Sequence, residues 1–247
     1  MKLLLKTISV EWKMNIRNFL NIFFSLIFPV MMLLLFGSMY GNEPSEYYQG
    51  YGSVDVSTAG YLCMIIAVSG LMTLPITLSQ YREKKILKRY MATPIKPFDI
   101  LLSQLVVNAG VTAVGSGLLI IIGIIVFDLK FYGNLLYVIP AVILIMLAIF
   151  SIGLLIAGIA PNSKAALAIT YVIYFPMLFL SGATLPLDFM PDVVVTISKA
   201  LPLTYGGELL NGLWVGGTPG TYLTERFVLL GVFVVFAGLS IKTFKWE

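Results

Sequence analysis

The chain has 247 residues, 59% of them hydrophobic and only 11% charged, with 22 glycines, 12 prolines and a mean hydropathy of +0.95. Globular domains run at roughly 45–50% apolar and about 25% charged, so this chain has too few polar side chains to cover a water-facing surface. Disorder needs low hydrophobicity and high net charge, and is excluded as well. The expected fold is an all-α membrane protein.

The sequence contains no histidine, which removes Ser-His and Cys-His triads, HExxH zinc sites and histidine proton relays. The single cysteine, Cys63, lies in an apolar run and reads as a small core residue. No GxxxxGK[ST] loop occurs, so the chain has no P-loop of its own to cradle a nucleotide. No cofactor is expected within it.

In chain order, residues 1–18 read as an amphipathic helix. At helical spacing Leu5, Ile8, Trp12, Ile16 and Phe19 fall within an arc of about 80°, flanked by Lys2, Lys6, Lys13 and Arg17. That pattern predicts a helix lying in the headgroup plane, as an anchor for the first span or a lever on it. It is too basic and too long before its apolar run to read as a cleaved signal peptide.

A membrane helix needs about 20 mostly apolar residues. Six stretches qualify: 19–39, 58–78, 100–127, 135–159, 165–180 and 223–244. Pro29 and Pro75 are expected to kink the first two. Mild polar groups punctuate the spans, and Asn21, Ser25, Thr73, Ser181 and Thr184, with the two prolines, are the candidates for lining a pathway. Ala109, Ala113 and Gly117 on span three, and Gly153 and Ala157 on span four, form small-residue ridges expected to pack inside the chain.

Between spans two and three lies the most polar stretch, Tyr81 to Pro94, expected to form one helix over 81–93. A solvated loop would explain its lysines. It would not explain Leu87, Tyr90 and Met91, whose apolar groups rimmed by charge point to docking against another protein. Between spans five and six, residues 183–222 carry Pro186, Pro191, Pro202 and Pro219. Proline leaves backbone groups unpaired in hydrocarbon, so short outer helices or a re-entrant hairpin are expected there.

Charge sets the topology. An even number of spans puts both termini on one side. Segments on that side hold thirteen of the 16 basic residues, and only Lys130, Lys199 and Arg226 lie opposite. Positive charge stays inside, so both termini are expected in the cytoplasm of a multi-pass protein of the cell membrane. The basic residues are accounted for by this asymmetry, and no nucleic-acid partner is implied.

The run Arg82-Glu83-Lys84 through Leu87, Arg89, Ala92, Thr93 and Pro94 resembles the segment after the second span in ABC-2-type transporter permeases, the membrane subunits of type V-like bacterial exporters. A second match supports it: Ser181-Gly182, Pro186, Pro191, Ile197-Ser198 and Pro202-Leu203-Thr204-Tyr205 are similar to that family's stretch between spans five and six. The resemblance implies that Arg82, Glu83, Lys84, Leu87, Arg89, Tyr90, Met91, Thr93 and Pro94 form a coupling helix seated on a separate ATPase subunit. It implies that Pro186, Asp188, Met190, Pro191, Pro202 and Tyr205 cap the outer end, and that a second permease chain completes the assembly. ATP and Mg would sit on the ATPase. The chain departs from the family at Lys85-Ile86, where Gly-Thr is usual, and at Lys88, where an acid is usual.

The function so implied is export of a hydrophobic or amphipathic solute, such as a drug, an antibiotic lipopeptide or a lipid-like molecule. Polysaccharide or ion export is the nearest alternative. An intramembrane lipid-modifying enzyme is the rival from another class, with Asp188, Asp192 and Glu208 as its only outer acidic cluster; a passive channel or scaffold is a third.

Overall fold

The computed structural model describes residues 2–87, 97–184, 187 and 190–243, and no strand forms among them. The helices are α1 (Lys2–Ile16), α2 (Phe19–Ile22), α3 (Phe28–Tyr40), α4 (Ser53–Ala67), α5 (Leu74–Glu83), α6 (Pro97–Phe127), α7 (Leu135–Ile159), α8 (Ser163–Leu180), α9 (Asp192–Ser198), α10 (Pro202–Trp214) and α11 (Leu223–Thr243). Among the described residues, six stretches are long and apolar enough to cross a membrane, in the order expected from hydropathy. The second, made of α4 and α5, is the hub: 89% of its central window is buried, against 11% for the sixth.

Prolines shape the first two spans. Each follows a π-helical turn, Phe23–Ile27 before Pro29 and Val68–Thr73 before Pro75. Proline has no amide proton, so in an α-helix Pro75 would leave the Leu71 carbonyl orphaned. Thr170 of α8 supplies the missing donor, its hydroxyl lying 2.9 Å from that oxygen. The corresponding carbonyl below Pro29, that of Ser25, faces Gly115 of α6, where an added Cβ would sit 2.9 Å from the oxygen. Hydrocarbon supplies no water for freed backbone groups, so neighbouring helices must satisfy them.

Span four closes on the same place. A Cβ on Gly153 would lie 1.9 Å from the Gly70 carbonyl, inside the π-turn of span two. The Gly153/Ala157 ridge is therefore an internal contact, as expected. The Ala109/Ala113/Gly117 ridge is one only in part. Ala109 packs against the core, but Ala113 is exposed and nothing lies within 4 Å of a Cβ built on Gly117, so only the first residue of that ridge is an internal contact.

Helix α1 packs along α6. Thr7, Glu11 and Asn15, four residues apart, are buried; of the expected apolar arc, Leu5, Ile16 and Phe19 point away while Trp12 packs over Gly110 of α6. An apolar side turned outward is what a lipid surround favours, the reverse of the arrangement in water.

Candidate functional site

At the C-terminal end of span two, α5 runs unbroken to Glu83 and then stops. Lys84 and Lys85 form a turn, Lys85 in the left-handed region at φ +55°, and helix resumes at Ile86 and Leu87. The one-piece helix expected over 81–93 is thus interrupted at the position where the resembling family carries glycine, the residue that adopts this conformation without strain. Arg89, Tyr90, Met91, Thr93 and Pro94 lie outside the described residues.

The described part of this segment is tied into the chain. The Arg82 guanidinium donates to the carbonyls of Gly158 and Ala160. The Glu83 carboxylate accepts from the backbone N–H of Ser163 at 3.1 Å and from its hydroxyl at 2.5 Å. Both partners belong to the junction between spans four and five. Lys84 is exposed, but Leu87 is 1% exposed and packs with Tyr81, Ile86 and Ile100. Its apolar surface is spent inside the chain, contrary to the expectation that it is displayed.

Tyr81 carries the network further. Its hydroxyl donates to Glu11 Oε2 at 2.5 Å, and the Gln104 amide donates to the same oxygen at 2.6 Å. Glu11 is 2% exposed, and its Oε1 has no hydrogen-bond partner among the described residues. Burial raises its pKa, only partly opposed by the two hydrogen bonds. Gln104, Asn108 and Thr112 form a buried ladder on α6 with the same four-residue spacing as Thr7, Glu11 and Asn15 on α1. Helix α1, the end of span two and the start of span three are therefore joined by polar groups.

At the opposite end, Asp55 is 2% exposed in the first turn of α4. Its carboxylate accepts from Asn42 Nδ2 and the Lys130 backbone N–H, each at 2.9 Å, and from the Tyr132 hydroxyl at 3.3 Å. Asn42 in turn accepts from the backbone N–H groups of Val54 and Asp55 and donates to the Phe127 carbonyl. This knot fastens the ends of spans one, two and three.

Beside it lie two cavities of about 200 and 340 Å³, sharing Val56, Glu208 and Asn211 on their walls. Ser181 and Thr184 line the smaller one. The other pathway candidates do not line either: Ser25, Pro29, Thr73 and Pro75 are buried between helices, and Asn21 is half-buried. In the outer segment, Pro202 opens α10, whose Leu203, Leu209, Leu210 and Leu213 are fully buried in the bundle. The Tyr205 hydroxyl donates to the Lys199 carbonyl at 2.8 Å, Met190 is half-buried, and Pro191 is the exposed N-cap of α9. Pro186 and Asp188 lie outside the described residues.

Residue order alone left Glu11, Asp55 and the cavity tyrosines undistinguished. Glu11 carried one available signal: it is the only acid in a leading helix otherwise charged by lysines and an arginine.

A helical bundle with six apolar spans and a braced, basic segment after the second describes a multi-pass membrane transport protein. The profile of the ABC-2 type transporter family matches residues 4–213, and the chain belongs to that family, whose members are permease subunits of ABC transporters. It is 26% identical over 216 residues to the putative transport permease ycf38 of Cyanophora paradoxa, covering 85% of this chain and 72% of that protein. It is 24% identical over 183 residues to the probable multidrug ABC transporter permease YbhS of Escherichia coli K12, covering 73% of this chain and 48% of that protein. It is 22% identical over 191 residues to ABC transporter G family member 20 of Dictyostelium discoideum, covering 77% of this chain and 25% of that protein. The chain thus spans about half of the second relative and a quarter of the third.

Proposed function

We infer that the chain is the membrane permease of an ATP-driven exporter in the cell membrane, with both termini cytoplasmic, passing a hydrophobic or amphipathic solute outward. A separate ATPase chain holds ATP and Mg and hydrolyses the nucleotide. A second permease chain, identical or related, completes the pathway, because six spans enclose little space on their own. The multidrug description of the Escherichia coli relative supports a drug-like solute.

The observation that carries the reading is the brace at Arg82 and Glu83. A displacement applied to the segment after span two reaches span two directly, and through those bonds it also reaches the junction of spans four and five. The prolines and π-turns of spans one and two provide places where such a displacement bends a helix. The outer helices α9 and α10 act as an exit cap that dips toward the membrane.

Proteoliposomes holding this chain and its co-purified ATPase test the reading. Efflux of a fluorescent amphiphile should require ATP. The pair Arg82→Ala and Glu83→Ala should leave the ATPase bound while lowering efflux about tenfold, a loss of about 1.4 kcal/mol of coupling. Tyr90→Asp should release the ATPase in a pull-down. Efflux at the same rate without nucleotide would overturn the proposal.

A further inference from the structure

The larger outer cavity has a chemistry that the export reading does not use. Tyr47, Tyr48, Tyr51 and Tyr222 line it together with the carboxylates of Glu208 and Glu225, and no basic side chain lines it among the described residues. Two of the rings are fixed in place. The Tyr51 hydroxyl donates to the Val215 carbonyl at 3.0 Å, and the Tyr222 ring lies so close over Gly212 that an added Cβ would meet it at 2.0 Å.

The buried polar atoms of its wall that lack a partner among the described residues are acceptors. Glu225 Oε2 and Asn211 Oδ1 are buried and have no hydrogen-bond partner among the described residues. Glu208 stands exposed at the wall shared by both cavities. The apolar surroundings of its carboxyl, and then the Glu225 charge, raise its pKa, with Lys199 acting weakly the other way. Two like charges facing one space repel, and a cation between them removes that repulsion. Tyrosine faces attract a cation through the ring quadrupole, the more so when it is desolvated. At about 340 Å³ the cavity has the size of a small-molecule site.

We propose that this cavity binds an organic cation with an apolar body, its charge held by Glu208 and Glu225 and its body by the tyrosine rings. The chain's cargo is then a cationic amphiphile, a step that rests on the export reading, whereas the binding site itself does not. Anions are repelled by the carboxylate pair. Neutral solutes gain the aromatic contact alone.

The test uses the full chain in phosphatidylcholine nanodiscs without ATPase or nucleotide, probed with benzyltrimethylammonium and with phenylacetate, an aromatic anion of similar size. The cation should bind saturably, and the anion should bind at least tenfold more weakly. Glu208→Gln combined with Glu225→Gln should lower affinity for the cation tenfold or more and abolish the preference over phenylacetate. Tyr222→Phe should stay within twofold of the parent, and Tyr222→Leu should lose fivefold or more. This pair reads the site even where the double variant fails to fold. Equal binding of both probes, or a Tyr222→Leu variant as tight as Tyr222→Phe, would overturn the assignment. ATP-driven efflux of a neutral amphiphile with no cation binding defeats the site and spares the exporter; saturable cation binding without ATP-driven efflux does the reverse.

Discussion

Glu11 and Tyr81, 70 residues apart in the chain, share a 2.5 Å hydrogen bond that joins the leading helix to the last turns of span two. Gln104 of span three donates to the same carboxylate oxygen. The acid therefore sits where three elements meet, with the other oxygen buried and without a partner among the described residues.

Its raised pKa fixes the sign of a pH effect. The folded state holds the Glu11 proton more tightly than the unfolded state, so stability is greatest below the unfolded pKa of about 4.3. It falls as pH rises from there through the folded value. Glu11→Gln removes this fall. In thermal melts across pH 4–8 the variant should vary less with pH and should match or exceed the parent at neutral pH. Glu11→Ala should lose about 1–3 kcal/mol at every pH, because two buried donors lose their acceptor.

The Thr170–Leu71 bond predicts a non-additive pair. Thr170→Val should cost about 1 kcal/mol while Pro75 leaves the Leu71 carbonyl without its helical donor. With Pro75→Ala in place the amide returns, and the same substitution should cost about half as much or less. A double-mutant cycle on unfolding in detergent measures the difference; equal costs in both backgrounds would remove the role assigned to Thr170.

Gly153 and Gly117 make opposite predictions for the same change. Gly153→Ala drives a methyl into the Gly70 carbonyl and should destabilise by about 1–3 kcal/mol. Gly117→Ala meets open space and should be neutral or stabilising by a few tenths of a kcal/mol through helix propensity. Denaturation midpoints of the two variants, measured side by side, check this.

Lys85→Gly should stabilise the turn after α5 by about 1 kcal/mol, since a side chain in the left-handed region carries a steric penalty that glycine lacks. Lys85→Val should do the opposite. Protease accessibility of the segment after span two provides the readout.

Much of the architecture was legible from hydropathy because lipid demands long uninterrupted apolar helices. Helix α7, Leu135–Ile159, covers the same residues as the expected fourth span, and α6 ends where the third was expected to, at Phe127. The second span was expected over 58–78 but its helices start at Ser53 and continue to Glu83. Polar residues at both ends, Asp55 and Arg82, hid this, being satisfied by tertiary bonds that composition does not reveal. The same cause concealed Glu11, whose carboxylate is held by Tyr81 and Gln104, residues 70 and 93 positions away in the chain. Leu87 failed in the other direction. Of its partners, Tyr81 lies across the Lys84–Lys85 turn and Ile100 belongs to the next span, contacts that residue order does not reveal. The coupling assignment came instead from the resemblance at Arg82-Glu83-Lys84, and of the seven pathway candidates Ser181 and Thr184 are the ones at a cavity.

The knot at Asp55 has a mechanical corollary. Three rods bolted together at the apex turn about that point. With the tops of spans one, two and three fastened through one carboxylate and one amide, rotation among them pivots there, and the largest sweep falls at the far ends, where Glu11, Tyr81 and Gln104 touch. Loosening the bolt by Asp55→Asn would shorten that lever arm without altering a single contact at its working end.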